Sequence, residues 1–223
     1  IASHDGIGVL PARGVLSDDE IHALVDQTLA HGGHVSYRHN PDGSRSVYEL
    51  NTTVYDFLND PAKPDDDDDI RRFMASQVIL LSLAGVPGIY IHSLLGSRNC
   101  HHCVAETGRP RSINRQKFDN RSIAALLADC SAHQYRVFNA YRRLLQQRCK
   151  QAAFHPSSGQ RILTLAPAVL ALLREPAAGT PVLCLINVSD RPVALTIEPT
   201  WRNEASNWID LISGKRYTNR TGG

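Results

Sequence analysis

The spacing of apolar residues changes near residue 151, and this change constrains the fold more than any other feature of the sequence. Before it, segments with apolar residues at helical spacing alternate with short apolar runs and polar loops. After it come short β-type runs separated by turn residues, at 161–165, 169–174, 182–188, 193–197, 208–211 and 216–218. We therefore expect an α/β domain over residues 1–150 and a small, sandwich-like antiparallel β-domain over residues 151–223.

The first 150 residues predict helix, strand, loop and helix in succession. Ser17 and Glu20 have the spacing of a capping box, and helical spacing follows as far as Gly32. Further helices are predicted over about 70–83 and about 123–150, the second broken near Cys130. The run at 86–91 predicts a buried strand, and the polar stretches at 34–50 and 92–115 predict long loops. This order is typical of an α/β barrel or a doubly wound sheet.

Charge and composition exclude several classes of partner. The 223 residues carry 24 Lys and Arg against 22 Asp and Glu, a net charge of +2 with His neutral, so we expect neither a nucleic-acid nor a membrane-surface partner. No apolar run approaches the roughly 18 residues of a membrane span. Five scattered Cys predict a reducing compartment, and we expect a cytoplasmic protein. The sequence does not indicate an oligomeric state.

Two groups of charged residues are candidates for chemistry. His4 and Asp5 follow a predicted strand end, the edge at which catalytic groups collect in parallel α/β folds. Four Arg residues crowd the loop after the 86–91 strand, at 98, 109, 111 and 115. Arg suits the recognition of carboxylate or phosphate, and an ordinary network of ion pairs explains the cluster equally well.

The tetrapeptide Cys100-His101-His102-Cys103 offers Zn²⁺ ligands. Four consecutive residues make poor tetrahedral geometry, and no second pair of ligands lies at zinc-finger spacing. We expect a loop without metal or cofactor, and keep a metal site and a redox dithiol as alternatives.

Four segments in order carry a resemblance to a known family: residues 4–9 (HDGIGV), 48–51 (YELN), 85–97 (GVPGIYIHSLLGS) and 107–115 (TGRPRSINR). They resemble the C-terminal half of a sucrose-phosphorylase-type glycoside phosphorylase of the α-amylase superfamily. The likeness covers essentially the whole chain. It implies the last two βα units of a TIM (β/α)8 barrel, with strands ending at Asp5 and spanning 86–91, followed by the antiparallel β-domain.

The resemblance also implies an activity and roles for individual residues. The family transfers a glucosyl group between a small α-glucoside and inorganic phosphate by retaining double displacement. Asp5 matches the carboxylate that stabilises the transition state, and His4 matches a partner of the glucosyl hydroxyls. Arg111 matches an Arg that pairs with an acid of the other half and closes the glucose subsite. Tyr48 and Glu49 lie on the loop that handles phosphate and the leaving acceptor.

Glu49 departs from the sucrose-specific pattern, which has Gln at this position. Sucrose is thus one of several candidate substrates, beside sucrose 6'-phosphate, glucosylglycerol and glucosylglycerate. Like-charge repulsion from Glu49 favours an uncharged acceptor, and His34, Arg38 and His39 nearby offer compensation.

The family's nucleophile and its acid/base belong to motifs that do not occur in this chain. Two strands also cannot close an eight-stranded barrel. We therefore expect the N-terminal half of the barrel as a partner, and no phosphorolysis by residues 1–223 alone. A truncated relative that binds sugar without catalysis is the alternative, and a Cys/His metal module is a further one.

Overall fold

The computed structural model describes residues 3–64, 66–196 and 207–218. Its contacts divide the chain into two compact units. Unit 1 comprises Ile1–Met74 and Gly88–Ala140, and unit 2 comprises Ala75–Pro87 and Tyr141–Gly223. Unit 2 thus includes the second halves of two helices that begin in unit 1. The predicted boundary at residue 151 and the sandwich-like character of the second domain stay predictions.

The sheet of unit 1 is antiparallel and places β3 between β1 and β2. The strands are β1 (Ile7–Gly8), β2 (His34–His39) and β3 (Arg45–Asn51). Residues 34–50, predicted as a loop, therefore form a hairpin, and that prediction is wrong. Its turn is closed by Asn40 N–H, which donates to Ser44 O over 2.9 Å. The polar residues of these strands conceal the alternation that would have indicated β structure.

Helix α1 (Asp18–Ala30) covers one face of this sheet. The predicted capping box is confirmed: Ser17 N–H donates to Glu20 Oε2 over 2.8 Å, and Glu20 N–H donates to Ser17 Oγ over 3.3 Å. Its buried residues join those of the strands in one core, which contains Val9, Ile21, Val25, Val47 and Leu50. Burial of this apolar face stabilises the helix more than its intrinsic propensity does.

A second core in unit 1 forms around Tyr55, Ile70, Phe73 and Val137. Its elements are α2 (Val54–Leu58), the first half of α3 (Asp66–Ser82), and the start of α7 (His133–Lys150). The centroids of the Tyr55 and Phe73 rings lie 5.2 Å apart. A ring contact of this kind stabilises the core beyond the burial of apolar area. The predicted break near Cys130 is confirmed, because α6 (Asn120–Ala128) ends before α7 begins.

The predicted strand at 86–91 is wrong for the described chain. Residues 86–90 belong to no strand, and α4 (Ile91–Leu94) begins directly after them. A strand requires a hydrogen-bonded neighbour, and none of the described strands pairs with this segment. The predicted loop at 92–115 instead contains α5 (His101–Thr107) and the 3₁₀ turn Pro110–Asn114.

Unit 2 contains a three-stranded antiparallel sheet in the order β4, β5, β6. The strands are β4 (Gly159–Ala166), β5 (Val169–Glu175) and β6 (Val182–Asn187), as predicted. The predicted last hairpin is confirmed, with β7 (Asn207–Ile209) paired to β8 (Arg216–Thr218). Of the run at 193–197, residues 193–196 form no strand and residue 197 lies outside the described residues.

Arg174 on β5 is fully buried in unit 2 and bonds to backbone carbonyls. Its Nε donates to Gly159 O over 3.2 Å, and Nη1 donates to Ser82 O over 3.2 Å. Nη2 donates to His155 O and Ser158 O, both over 3.4 Å. These bonds compensate for part of the cost of removing the guanidinium from water.

None of the helices within the described residues is both long enough and apolar enough to cross a bilayer.

Candidate active site

His4 and Asp5 lie in a tight turn over residues 3–6 rather than at the end of a described strand. Gly6 N–H donates to Ser3 O over 3.2 Å, and Asp5 N–H donates to Ser3 Oγ over 3.1 Å. The turn leads directly into β1. A Cβ on Gly6 would lie 2.4 Å from Leu50 O, and φ is +117° there, so this close approach to β3 requires glycine.

Side chains from two other segments hold the backbone of this turn. Asn51 Nδ2 on β3 donates to Asp5 O over 3.2 Å. From the 3₁₀ turn, Asn114 Nδ2 donates to Ser3 O over 2.6 Å, and Arg115 Nε, one residue further on, donates to His4 O over 2.7 Å. Because Asn51 and Asn114 are buried, these bonds fix the Asp5 carboxylate relative to β3 and the 3₁₀ turn.

The Asp5 carboxylate is shared by three cationic or ionisable groups. Arg115 Nη2 lies 2.8 Å from Oδ1, Arg111 Nη1 lies 3.3 Å away, and His4 Nε2 lies 3.3 Å away. All three contacts are to Oδ1. Among the described residues no hydrogen bond involves Oδ2, which is therefore able to accept one from a ligand hydroxyl.

Glu49 is the second carboxylate of the cluster, and it is 3% exposed. Its Oε2 accepts from Arg111 Nε over 2.8 Å and from Asn51 Nδ2 over 3.0 Å. The hydrogen bond with Glu49 is the largest of the effects that raise the pKa of Arg111 above its ordinary value. Arg111 therefore joins Glu49 and Asp5, and its pairing with an acid from the other half of the barrel stays a prediction.

The structure thus brings together four of the five predicted site residues: His4, Asp5, Glu49 and Arg111. Tyr48 is 38% exposed, and no described hydrogen bond joins its hydroxyl to them. Sequence reasoning gave no role to Asn51 and Asn114, although both lie in the segments that carry the resemblance. A single sequence does not show whether an Asn side chain is buried and positions a loop or is exposed to solvent.

A cavity of about 600 Å³ opens beside this cluster. It is lined by Ser36, Thr107, Arg109, Pro110, Arg111, Ser112 and Arg115. Hydroxyl and guanidinium groups therefore dominate its wall, an arrangement suited to a small polar or anionic ligand.

Tyr90 and His92 support the 3₁₀ turn and the segment before it. Tyr90 Oη donates to Asn114 O over 2.6 Å, and burial raises the pKa of the phenol. His92 is 5% exposed and bonds through Nδ1 to Ser97 Oγ over 2.9 Å. Burial is the main cause that lowers the pKa of His92, because it penalises the charged imidazolium.

The Cys-His-His-Cys tetrapeptide leads into helix α5, so the prediction of a loop here is wrong. Cys100 and Cys103 form a disulfide. Cys100 N–H also donates to Ile113 O over 2.8 Å, which joins the start of α5 to the 3₁₀ turn. His102 completes a group of possible metal ligands, and the two sulfurs are able to bind a metal as thiolates only in the reduced protein.

Comparison with known proteins finds relatives over most of this chain, although no family model matches it. A glucosylglycerate phosphorylase of Allomeiothermus silvanus is 46% identical over 196 residues, which are 86% of this chain and 34% of the relative. The glucosylglycerate phosphorylase of Escherichia coli is 40% identical over 215 residues, 96% of this chain and 38% of the relative. A sucrose phosphorylase of Streptococcus mutans is 25% identical over 197 residues, 87% of this chain and 38% of the relative.

The sucrose 6F-phosphate phosphorylase of Thermoanaerobacter thermosaccharolyticum shares the fold. Its solved structure matches 83% of this chain and 34% of its own, with a TM-score of 0.68 and 24% identity. The chain therefore spans about a third of the length of the curated relatives it matches. These relatives confirm the resemblance to sucrose-phosphorylase-type enzymes.

Proposed function

We propose that this chain, a homologue of the glucosylglycerate and sucrose phosphorylases, forms part of a retaining phosphorylase that acts on a glucosylglycerate-type substrate. The glucosyl group would pass between the glycerate hydroxyl and inorganic phosphate. The observation that carries the proposal is the cluster of His4, Asp5, Glu49 and Arg111, held together in a chain whose relatives at 40–46% identity are glucosylglycerate phosphorylases.

In this proposal Asp5 stabilises the oxocarbenium-like transition state. A fixed carboxylate beside the developing positive charge lowers the barrier because its orientation costs nothing at the moment of reaction. Arg115 and Arg111 hold Oδ1, which leaves Oδ2 for a sugar hydroxyl. His4 binds a second hydroxyl, and Glu49 orients Arg111 at the edge of the glucose subsite.

The charge of Glu49 does not oppose an anionic acceptor in this arrangement. Arg111 and Asn51 both bond to its Oε2, so the carboxylate is paired rather than aimed at the cavity. The like-charge repulsion that would favour an uncharged acceptor is therefore offset by the guanidinium that Glu49 binds. With Glu49 paired, the guanidinium-rich cavity wall favours an anionic acceptor, and the relatives at 40–46% identity favour glycerate among the anionic candidates.

The remaining parts of the active site would come from polypeptide outside these 223 residues. We propose that residues 1–150 supply the last two βα units of a (β/α)8 barrel. The nucleophile and the acid/base belong to that other half. Residues 1–223 alone would then have no phosphorolytic activity.

The test uses the purified full-length protein that contains this chain. Glucosylglycerate, glucosylglycerol and sucrose are each incubated with phosphate, and the release of α-glucose 1-phosphate is followed. We expect the largest kcat/KM for glucosylglycerate and no turnover by residues 1–223 alone. Turnover by residues 1–223 alone would contradict the proposal that the nucleophile and the acid/base lie outside them. Binding of sugar without turnover of any α-glucoside would favour a sugar-binding protein.

A further inference from the structure

We infer that Arg109 binds the carboxylate of the acceptor and thereby selects an acidic acceptor over a neutral polyol. The inference rests on the proposed function, which it deepens by assigning one residue to acceptor choice. Arg109 is exposed and lines the cavity beside the Asp5–Arg111 cluster.

The balance of charge at the cavity singles out Arg109. Arg111 bonds to Glu49 and Asp5, and Arg115 bonds to Asp5 and to the carbonyl of His4. The cavity wall carries three guanidinium groups, and two carboxylates lie in the adjacent cluster. Both carboxylates are paired with Arg111 or Arg115. In the part of the chain that the structure describes, no ion pair joins Arg109 to a carboxylate. The cavity therefore carries one positive charge for a ligand to neutralise.

The backbone around Arg109 is held on both sides. Gly108 ends α5 at φ +64°, a conformation that favours glycine, and Pro110 begins the 3₁₀ turn. Thr107 Oγ1 accepts from Arg109 N–H over 3.3 Å and lies within hydrogen-bond distance of Ser112 Oγ, at 2.7 Å. Because this connection is short and bonded at both ends, the backbone of Arg109 is held at the cavity wall before a ligand arrives.

The neighbouring hydroxyl groups suit the rest of a small acidic polyol. Ser36 and Ser112 line the same wall, and the oxygen of each is able to accept a hydrogen bond from a ligand hydroxyl. A guanidinium binds a carboxylate through two parallel hydrogen bonds, which glycerol could not make. Inorganic phosphate offers similar oxygens, and the experiment separates the two ligands.

The experiment compares wild type, Arg109→Gln and Arg109→Lys in the full-length protein. Arg121→Gln, another exposed Arg that lies outside the cavity wall, is the matched control. Synthesis from α-glucose 1-phosphate is measured with glycerate and with glycerol as acceptor, and phosphorolysis is measured against phosphate. Binding of glycerate alone is measured by calorimetry, which requires no turnover.

We expect Arg109→Gln to raise the KM for glycerate and the Kd for glycerate by about ten- to a hundredfold, the effect of losing a charged hydrogen-bonded partner. The KM values for glycerol and phosphate should change less than twofold, and Arg109→Lys should restore part of the glycerate affinity. Arg121→Gln should match wild type.

Equal losses for glycerate and glycerol would overturn the inference, as would a loss confined to phosphate. If wild type does not transfer glucose to glycerate, the proposed function fails and the calorimetry decides the inference alone. Glycerate binding weakened in Arg109→Gln would then support it, and absent or unchanged glycerate binding would contradict it.

Discussion

Arg111 Nε donates to Oε2 of Glu49 over 2.8 Å, and this bond joins the 3₁₀ turn Pro110–Asn114 to strand β3. The two residues lie 62 positions apart in the sequence. Arg111 also reaches Asp5 with Nη1. One guanidinium therefore sets the relative positions of two carboxylates from two other segments of unit 1, and this arrangement positions the candidate active site.

Glu49→Gln should destabilise the protein by about 1–3 kcal/mol, because it removes the charge that Arg111 binds within a buried network. Thermal unfolding of the full-length protein measures the loss. Glu106→Gln, on the exposed face of α5, is the matched control and should unfold as wild type does. An unchanged midpoint for Glu49→Gln would show that the pair does not support the fold.

Arg174→Met should lower the stability of unit 2 by about 2–4 kcal/mol, since four backbone carbonyls would each lose a hydrogen bond from the buried guanidinium. Met retains much of the volume of the Arg side chain, so the loss of stability measures the lost hydrogen bonds more than lost packing. Arg191→Met, at an exposed position in the same unit, provides the control. Equal melting curves for the two variants would refute this role of Arg174.

His92 should make stability depend on pH below its unfolded-state pKa of about 6.5. Burial lowers the pKa of His92 in the folded protein, so between the two values the unfolded chain binds the proton and the folded chain does not. Stability should therefore fall as the pH drops from 7.5 to 5.5, by at most about 1.4 kcal/mol per pH unit.

Melting curves at several pH values check this slope. His92→Asn should flatten the pH dependence, whatever its effect at pH 7.5, and exposed His22→Asn is the control for the substitution itself. The same slope in wild type and His92→Asn would contradict the assignment.

Reduction of the Cys100–Cys103 disulfide should cost about 2 kcal/mol, the loop-closure contribution of so short a link. Thermal unfolding with and without a dithiol reductant measures it, with free thiols counted by mass spectrometry. Cys103→Ser should reproduce the loss, and Cys130→Ser, which removes an exposed free thiol, should not. Free thiols at both Cys100 and Cys103 in the protein purified without reductant would show that the bond does not form.

The sequence predicted correctly those secondary-structure elements that depend on residues close together in the chain. The capping box at Ser17 and the turn residues between β4, β5 and β6 act within a few residues, and these elements were found. The hairpin of β2 and β3 was missed because its strands are polar and pair mainly with each other. The 86–91 segment was predicted as a strand from its apolar residues, but strand formation depends on a neighbouring strand.

The candidate site divides in the same way. Asp5, Glu49 and Arg111 were predicted through the segments that resemble sucrose-phosphorylase-type enzymes. The buried amides of Asn51 and Asn114 were not, since their role is visible only once residues 3–6, β3 and the 3₁₀ turn are brought together.

The role of Asp5 is decided by the activity of Asp5→Asn in the full-length protein. Phosphorolysis of glucosylglycerate is measured beside Asp26→Asn, a substitution on the exposed face of α1. Asparagine keeps the size of the side chain and removes the charge that would stabilise the transition state. We predict that kcat falls about a thousandfold or more in Asp5→Asn and stays at the wild-type value in Asp26→Asn. A kcat for Asp5→Asn within a few-fold of wild type would contradict the account.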